Sequence, residues 1–440
     1  MSIYPIPLEL VPADKNKLVN YWPIRNKGNE FDWDTITGVV LSLALRQKIT
    51  VNEFEQFKEE CKLRFTSKQY DPQFWRVLEK TYFTNNSLFQ ISPLFLLFKA
   101  KGRQNGRADI NAPDLRLSKV FSGLLGDFFL ENALNDRLTF VEKELLTVLN
   151  TKLKAGCVVQ NDEQPYLPFL NKVFREDICF LALYPQYLLQ VLPSMIKLYS
   201  FSYCAQMALN ITDWKNEPKS KPLYFILDSE RASAERTSVK RSGYKLLSTS
   251  SERVFPLLSA LDVLQLPDSI KKRPFWQIYN DVMQYTDQNR LLEELNRYLQ
   301  AFITNRQLPN RLQAGSIDAA FEQLKDLALE QFRDARTTRP GVNRKYIKEL
   351  EDKLLCEFIQ VRGAAGRTLV LNQDQILLLT NLTIGKAEKL RLHELRSGFE
   401  QRGFYLDNQS LQVLVSFYER MGNVERMSDS GDAVYVRKTL

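Results

Sequence analysis

The C-terminal end of the chain constrains the fold more than any other stretch, because it predicts a fixed order of elements. Leu390–Arg402 has apolar residues at helical spacing, and Gly403 follows as a stop signal. Asp407 is a suitable N-cap for a second helix. Two β-prone runs come next, Val424–Met427 and Ala433–Val436, joined by the turn-forming sequence Ser-Asp-Ser-Gly-Asp. Helix, turn, helix and hairpin in this order predict a winged-helix-like unit.

The rest of the chain is predicted to be mainly helical. Its 440 residues include 17 glycines and 18 prolines with long periodic segments between them, and 44% apolar content is that of a globular protein. The clearest internal strand is Leu223–Leu227, and the polar residues 228–253 after it predict a loop or linker. We therefore expect a mainly α, multi-domain helical protein with a small β element. The predicted segments are a helical domain (1–215), a strand with a polar linker (216–253), a central helical segment (254–366) and the winged-helix-like domain (367–440).

An uncharged stretch over residues 178–196 is just long enough to span a bilayer. It contains Pro185, Pro193 and two glutamines, and charged residues flank it. These features favour a buried, proline-interrupted helical element over a membrane helix. The first residues lack the basic-then-apolar pattern of a signal peptide, which predicts a cytoplasmic protein with no membrane partner.

Residue types that carry catalysis are sparse. The one histidine, His393, lies off the apolar stripe of its helix, which predicts a surface imidazole. The five cysteines include no CxxC pair, so neither a zinc site nor a disulfide framework is predicted. Two glycine-bearing stretches, 363–368 and Gly385-Lys386, lack the spacing of a phosphate-binding P-loop. We predict no catalytic residue, no cofactor and no bound metal.

A metal-dependent nuclease is an alternative hypothesis for the function of this chain. Such sites place an aspartate and a Glu-x-Lys sequence at the ends of adjacent strands, where carboxylates hold the metal. Asp114 and Asp268 follow prolines and match the first part, and Glu217-Pro-Lys219 and Glu351-Asp-Lys353 match the second. Neither Glu-x-Lys sequence falls in a predicted strand, as such a nuclease site requires. A non-enzymatic protein is therefore favoured.

Nucleic-acid contacts are predicted on the second helix of the C-terminal unit. Its exposed arc carries Gln409, Gln412 and Arg420, side chains that can read adenine or guanine edges in a major groove. The segment from Lys386 to Leu440 holds nine Lys/Arg against eight Asp/Glu, however, and duplex binders usually neutralise several phosphates. Docking to another protein is therefore an equal alternative for this unit.

Three basic segments add further candidates. The chain as a whole carries 60 basic and 52 acidic residues, a net charge of +8 that is spread thinly. Basic loops can form a phosphate-tracking surface if the fold brings them together, or they can be solvated, flexible stretches. The candidates in these segments are Lys99, Lys101, Arg103, Arg107, Arg236, Lys240, Arg241, Arg336, Arg339, Arg344 and Lys345.

The C-terminal sequence also resembles a known family. The stretch RGFYLDNQSLQVLVSFYERMG, followed by ERMSDSGDAVYV, resembles the C-terminus of the DptG family, the middle component of the DptF–DptG–DptH restriction module that accompanies DNA phosphorothioation in bacteria. The match covers about the last eighth of the chain. It implies an adaptor that connects DptF and DptH, the NTPase-bearing components, and implies no catalytic residues. A free-standing DNA-binding regulator with a winged helix is a further alternative.

Overall fold

The computed structural model describes residues 4–49, 53–67, 72–84, 87–100, 110–131, 134, 138–231, 236–267, 269–427 and 433–440. It is mainly helical with small sheets of a few strands, so the predicted fold class is confirmed. Contacts divide the chain into two compact units. Unit I comprises Met1–Asn29, Asn161–Val173 and Leu198–Thr439, and unit II comprises Glu30–Gln160 and Phe174–Lys197. The four consecutive segments expected from the sequence stay a prediction.

The described residues form seventeen α-helices and nine short strands. The helices are α1 (Trp33–Leu45), α2 (Glu53–Ser67), α3 (Pro72–Leu78), α4 (Ala112–Leu125), α5 (Phe140–Lys152), α6 (Pro168–Leu181), α7 (Pro185–Asn210), α8 (Thr237–Ser242), α9 (Tyr244–Ser251), α10 (Val254–Val263), α11 (Phe275–Gln284), α12 (Gln288–Arg306), α13 (Ile317–Glu330), α14 (Arg339–Leu350), α15 (Gln373–Ile384), α16 (Leu392–Gln401) and α17 (Asn408–Met421). The strands are β1 (Gln47–Ile49), β2 (Leu153–Ala155), β3 (Tyr224–Leu227), β4 (Ile359–Val361), β5 (Arg367–Leu371), β6 (Lys389–Arg391), β7 (Tyr405–Leu406), β8 (Val424–Met427) and β9 (Ala433–Arg437).

Unit II is built around α1, which packs against α4 and a 3₁₀ segment, Pro93–Ala100. Gly38 permits this packing, because a Cβ atom there would lie 2.4 Å from the backbone nitrogen of Ala100. Asp32 caps α1 by accepting hydrogen bonds from the backbone amides of its first turn. The close approach of α1 to the 3₁₀ segment therefore depends on one small residue, Gly38. In the same unit, strands β1 and β2 pair antiparallel.

The uncharged stretch 178–196 is divided between two helices. Helix α6 ends at Leu181, α7 begins at Pro185, and Pro193 lies inside α7. Proline fits the first turn of a helix because it has no amide hydrogen to donate. The predicted proline interruption is confirmed at Pro185. Among the described residues no helix has both the length and the apolar character needed to cross a membrane.

The main sheet of unit I has the strand order β4-β5-β3-β7. The central strand β3 runs parallel to both β5 and β7, and β4 pairs antiparallel with β5. Phe225 and Ile226 of β3 are fully buried, which confirms the strand predicted at Leu223–Leu227. The ring of Phe225 packs against those of Phe201 and Phe404, so the aromatic core of this unit surrounds β3.

The predicted loop or linker over 228–253 is wrong for most of its length, because α8 and α9 lie within it. Val239 of α8 packs with Ile226 and Val370 of the sheet, and Leu247 of α9 is buried. Helices of six and eight residues each need only one or two apolar anchors. With so few apolar residues, neither helix shows a periodic apolar pattern in the sequence. Packing against other parts of the unit, rather than local sequence, stabilises these helices.

The C-terminal elements follow the predicted order. Strands β6, β9 and β8 form an antiparallel sheet with β9 in the centre, and α16 and α17 lie between β6 and β8 in the chain. Asp407 caps α17 and Gly422 ends it in the left-handed conformation. The first helix begins at Leu392, two residues later than predicted, because Leu390 pairs with Val436 in the sheet. The turn at 428–432 lies outside the described residues, and the winged-helix assignment itself stays a prediction.

Candidate nucleic-acid interface

Two hydrogen bonds connect helices α9 and α14 of unit I near their ends. The side-chain amide of Asn343 donates to the carbonyl oxygen of Glu252 at 2.7 Å. At the other end, the Tyr244 hydroxyl donates to the Glu351 carboxylate, also at 2.7 Å, where Glu351 follows α14. These two bonds make the helices antiparallel neighbours. Residues 91 and 107 positions apart in the sequence are thus in contact, whereas Lys240 and Arg241 lie on α8, the helix before α9.

Most cations of these two segments are exposed. Arg336 is 89% exposed at its side chain but pairs with Asp334 at 3.0 Å, so part of its charge is neutralised by a neighbour. Arg339 is half-buried at the start of α14. The fully exposed candidates are Lys240, Arg241, Arg344 and Lys345. We call these four residues, with Arg336 and Arg339, the basic face.

Arg236 is the exception, because it is 7% exposed and cannot reach a phosphate. Its guanidinium binds both oxygens of Asp407, with 2.9 Å from Nε to Oδ2, and the carboxylate of Glu230. It also donates to the Ser410 hydroxyl at 2.6 Å. The prediction that Arg236 contacts nucleic acid is therefore wrong. Two carboxylates already neutralise this arginine, and its removal from water excludes a third anion.

The charges of this cluster support one another electrostatically. Burial by itself would raise the pKa of Asp407, but hydrogen bonds from Arg236 and Ser410 outweigh burial and hold that pKa below its usual value. Burial would likewise lower the pKa of Arg236, but the hydrogen bonds that it donates to its two carboxylate partners raise that pKa instead. Both groups are consequently charged over the whole physiological pH range.

The same cluster fixes the N-terminus of α17. Glu230 follows β3 and accepts a hydrogen bond from the backbone amide of Leu227 at 2.7 Å. Ser410 donates to the carbonyl oxygen of Phe225, in β3, at 3.4 Å. Asp407 is the N-cap of α17, and Arg236 immediately precedes α8. The first turn of α17 is thus bonded to the sheet and to the start of the helix that carries Lys240 and Arg241.

The exposed side of α17 carries the predicted residues. Gln409, Gln412 and Arg420 are all exposed, whereas Leu414 and Tyr418 on the opposite side are buried. The polar and apolar sides of this helix are therefore assigned as the sequence pattern predicts. Whether the polar side reads bases stays a prediction.

Lys99 belongs to unit II. It ends the 3₁₀ segment Pro93–Ala100, pairs with Asp34 at 3.0 Å and lies 4.9 Å over the ring of Phe89. These side chains line a cavity of about 520 Å³. The other candidates of its segment, Lys101, Arg103 and Arg107, lie outside the described residues. Lys99 is thus part of unit II, whereas the described candidates of the other two basic segments belong to unit I.

The residues of the nuclease alternative are divided between the two units or lie outside the described residues. Asp114 lies at the start of α4 in unit II, and burial raises its pKa to about 6. Glu351 belongs to a helical segment of unit I and binds Tyr244 and Arg367. Asp268 is not among the described residues. Over the part of the chain that the structure describes, no three or more His, Cys, Asp or Glu are grouped to hold a metal ion.

Comparison with known proteins adds no identification. No family model matches the chain, and no curated protein matches its sequence significantly. The resemblance of residues 402–436 to DptG thus remains an expectation that rests on those residues. Within unit I the structure establishes exposed cations on α8 and α14 and a helix α17 whose first turn is hydrogen-bonded to the sheet.

Proposed function

We propose that this chain is a non-enzymatic adaptor in a phosphorothioation-dependent DNA restriction complex, a form of anti-phage defence. In this role it bridges the NTPase partners DptF and DptH in the cytoplasm and contacts DNA through the basic face. The observation that supports the DNA contact is the exposure of Lys240, Arg241, Arg344 and Lys345 in one unit, where hydrogen bonds connect α9, the helix after α8, with α14.

Electrostatics support this contact. Lys240, Arg241, Arg344 and Lys345 are exposed side chains on helices of one unit. Each cation that approaches a phosphate releases a counterion from DNA, so four such contacts make a salt-sensitive but sequence-independent interaction. An adaptor that holds DNA near NTPase partners needs this type of contact rather than base-specific recognition.

The partners and the biological setting come from the resemblance. Residues 402–436 include α17 and both hairpin strands, the part of unit I that would form a winged helix. The near-neutral charge of this part favours docking to a protein over docking to a phosphate backbone. We therefore assign the basic face to DNA and the C-terminal elements to a partner subunit.

Co-purification tests the adaptor role. The tagged chain would be co-expressed with DptF and DptH and passed over a size-exclusion column with and without nuclease treatment. We expect co-elution with an NTPase partner that survives the nuclease, since the contact is between proteins. A chain that elutes alone in both conditions would refute the bridging role.

A transcription regulator is the second candidate, and the exposed Gln409, Gln412 and Arg420 of α17 favour it. A regulator would bind a palindromic duplex as a homodimer, with α17 in the major groove. Selection of binding sites from a random duplex library separates the two functions. An enriched palindrome whose binding is lost in Gln412→Ala would support the regulator, and the adaptor predicts no enriched sequence.

A further inference from the structure

Arg306, at the end of α12, is a buried cation of unit I with neutral partners. Its side chain is 6% exposed. Nε donates to the side-chain oxygen of Gln331 at 3.1 Å, and Nη2 donates to the carbonyl oxygen of Ala13 at 2.5 Å. Nη1 donates to the carbonyl oxygen of Asp14 at 3.4 Å and to the side-chain oxygen of Asn305. Among the described residues no carboxylate oxygen binds this guanidinium.

The hydrogen-bond capacity of Arg306 is not fully used. A guanidinium has five N–H groups, and the contacts to Gln331, Ala13, Asp14 and Asn305 occupy four of them. Among the described residues one N–H on Nη2 has no acceptor. A buried arginine normally pairs with an acid, because neutral acceptors compensate poorly for the loss of water around a full charge.

A cavity of about 50 Å³ lies beside this guanidinium. It has room for a group of a few atoms, since a single water needs about 10–15 Å³ on this scale. The polar side chains that line it are Lys15, Asn16, Lys17, Ser259, Asp262, Arg306 and Gln331. Lys15 and Lys17 are exposed, so they stand at the rim of the cavity and Arg306 stands at its inner end.

The charge around the cavity is positive. Three cations line it, and the one lining carboxylate, Asp262, already accepts a hydrogen bond from Asn20 at 2.9 Å. Burial and the nearby charge of Arg339 lower the pKa of Arg306, and the charges of Tyr298 and Asp14 offset only part of this. The side chains that line the cavity therefore carry a net positive charge beside the remaining N–H group of Arg306.

We propose that this cavity binds a single phosphate group, with Arg306 donating to it from inside and Lys15 and Lys17 neutralising it at the rim. Charge-assisted hydrogen bonds from a guanidinium are the strongest that a phosphate oxygen accepts in a protein. The phosphate is either inorganic phosphate or a terminal phosphate on a DNA strand. This site does not depend on the adaptor role, because the chemistry of phosphate binding is the same in either case.

Equilibrium dialysis against radiolabelled inorganic phosphate tests the site in the full-length chain. We expect saturable binding of about one phosphate per chain. The double variant Lys15→Ala/Lys17→Ala changes only exposed side chains, so it should fold normally and bind phosphate about tenfold more weakly or worse. Lys219→Ala removes an exposed lysine of unit I away from the cavity and is the matched control. No saturable binding by the unaltered chain, or equal binding by the double variant, would overturn the proposal.

Competition identifies the source of the phosphate. A short oligonucleotide with a 5′-phosphate is compared with the same oligonucleotide ending in a 5′-hydroxyl. Displacement of labelled phosphate by the first only would assign the site to a DNA terminus. Displacement by neither, with phosphate binding retained, would assign it to the free anion. Equal displacement by both would contradict a site for a single terminal phosphate.

Discussion

Two buried arginines in unit I have opposite surroundings. Arg236 and Arg306 are almost equally buried, at 7% and 6% exposed. Arg236 binds two carboxylates, Glu230 and Asp407, whereas Arg306 binds only neutral oxygens. The pKa of Arg236 is raised by those partners after burial has opposed it, and the pKa of Arg306 is lowered by burial.

This difference separates a structural charge from a functional one. A neutralised arginine holds elements together and has no capacity for a further anion. A buried arginine without an acid is costly for the folded state, and such a cost is typical of binding sites that are complete only with their ligand. Burial alone thus says little about the role of an arginine, and the identity of its partners decides the role.

The largest effect is expected for Arg236→Ala. Removing this guanidinium leaves the carboxylates of Glu230 and Asp407 buried without a cation, which should reduce the free energy of unfolding by about 3–5 kcal/mol. Denaturant unfolding measures the change. Lys240→Ala, an exposed substitution in the next helix, is the control and should stay within about 0.5 kcal/mol of the unaltered chain. A loss below 1 kcal/mol would show that the cluster does not hold α17.

A smaller effect is expected for Arg306→Met. The variant loses hydrogen bonds to the carbonyl oxygens of Ala13 and Asp14, but it also removes a buried charge that no acid neutralises. In phosphate-free buffer we expect a loss of about 1–2 kcal/mol. A loss as large as that of Arg236→Ala would mean that the two arginines have the same structural role. The midpoints of denaturant unfolding for both variants, measured together, make this comparison.

Asp114→Asn is expected to act in the opposite direction. Asp114 is fully buried, its Oδ1 accepts from the backbone amide of Asp32 at 2.9 Å, and its Oδ2 has no partner among the described residues. Its pKa is about 6 when folded and about 3.9 when unfolded, so folding takes up a proton between those values and stability falls as pH rises from about 4 to about 6. Asparagine cannot ionise, so it avoids the cost of burying a charged carboxylate and should stabilise the chain by about 2 kcal/mol at pH 8.

The pH dependence is the internal control for Asp114→Asn. At pH 4 the aspartate is protonated in the folded state and about half protonated in the unfolded state, so the advantage of asparagine should fall to about 0.5 kcal/mol. Thermal unfolding of the unaltered chain and of Asp114→Asn measures this difference in stability at pH 4 and at pH 8. An equal shift at the two pH values would show that ionisation of Asp114 is not the cause.

The smallest effect on stability is expected for Arg344→Ala/Lys345→Ala, because both side chains are exposed on α14. The free energy of unfolding should change by about 0.5 kcal/mol or less. Duplex binding should weaken uniformly across sequences, and the slope of log affinity against log salt should fall by about 2. Fluorescence anisotropy over a salt series measures the slope, with Lys219→Ala, which removes one exposed lysine outside the basic face, as the comparison. An unchanged slope would remove these residues from the basic face.

The C-terminal elements could be predicted closely because their signals are local. Asp407 caps α17 and Gly422 ends it within the helix itself, and both are visible in the sequence. The loop expected over 228–253 failed for the opposite reason. Helices α8 and α9 depend on Val239 and Leu247 packing against distant residues, and single apolar anchors give no periodic signal.

In the candidate interface, too, features encoded locally could be predicted and contacts between distant segments could not. Exposure of Gln409, Gln412 and Arg420 followed from helical periodicity. The pairing of α9 with α14 did not, because it depends on contacts between segments far apart in the chain. Arg306 lies in an ordinary amphipathic helix, and Lys15 and Lys17 lie in an irregular segment, so nothing local connects them.

The sequence by itself determined the helical class, the caps of the C-terminal helices and which side of α17 is polar, since each depends on residues within one or two turns. Only the tertiary structure decided which cations are neutralised. Arg236 comes from a basic segment but is neutralised by Glu230, six residues away, and by Asp407, 171 residues away. Charge pairing acts through space, and the fold places an acid beside Arg236 but none in hydrogen-bond contact with Arg306 among the described residues.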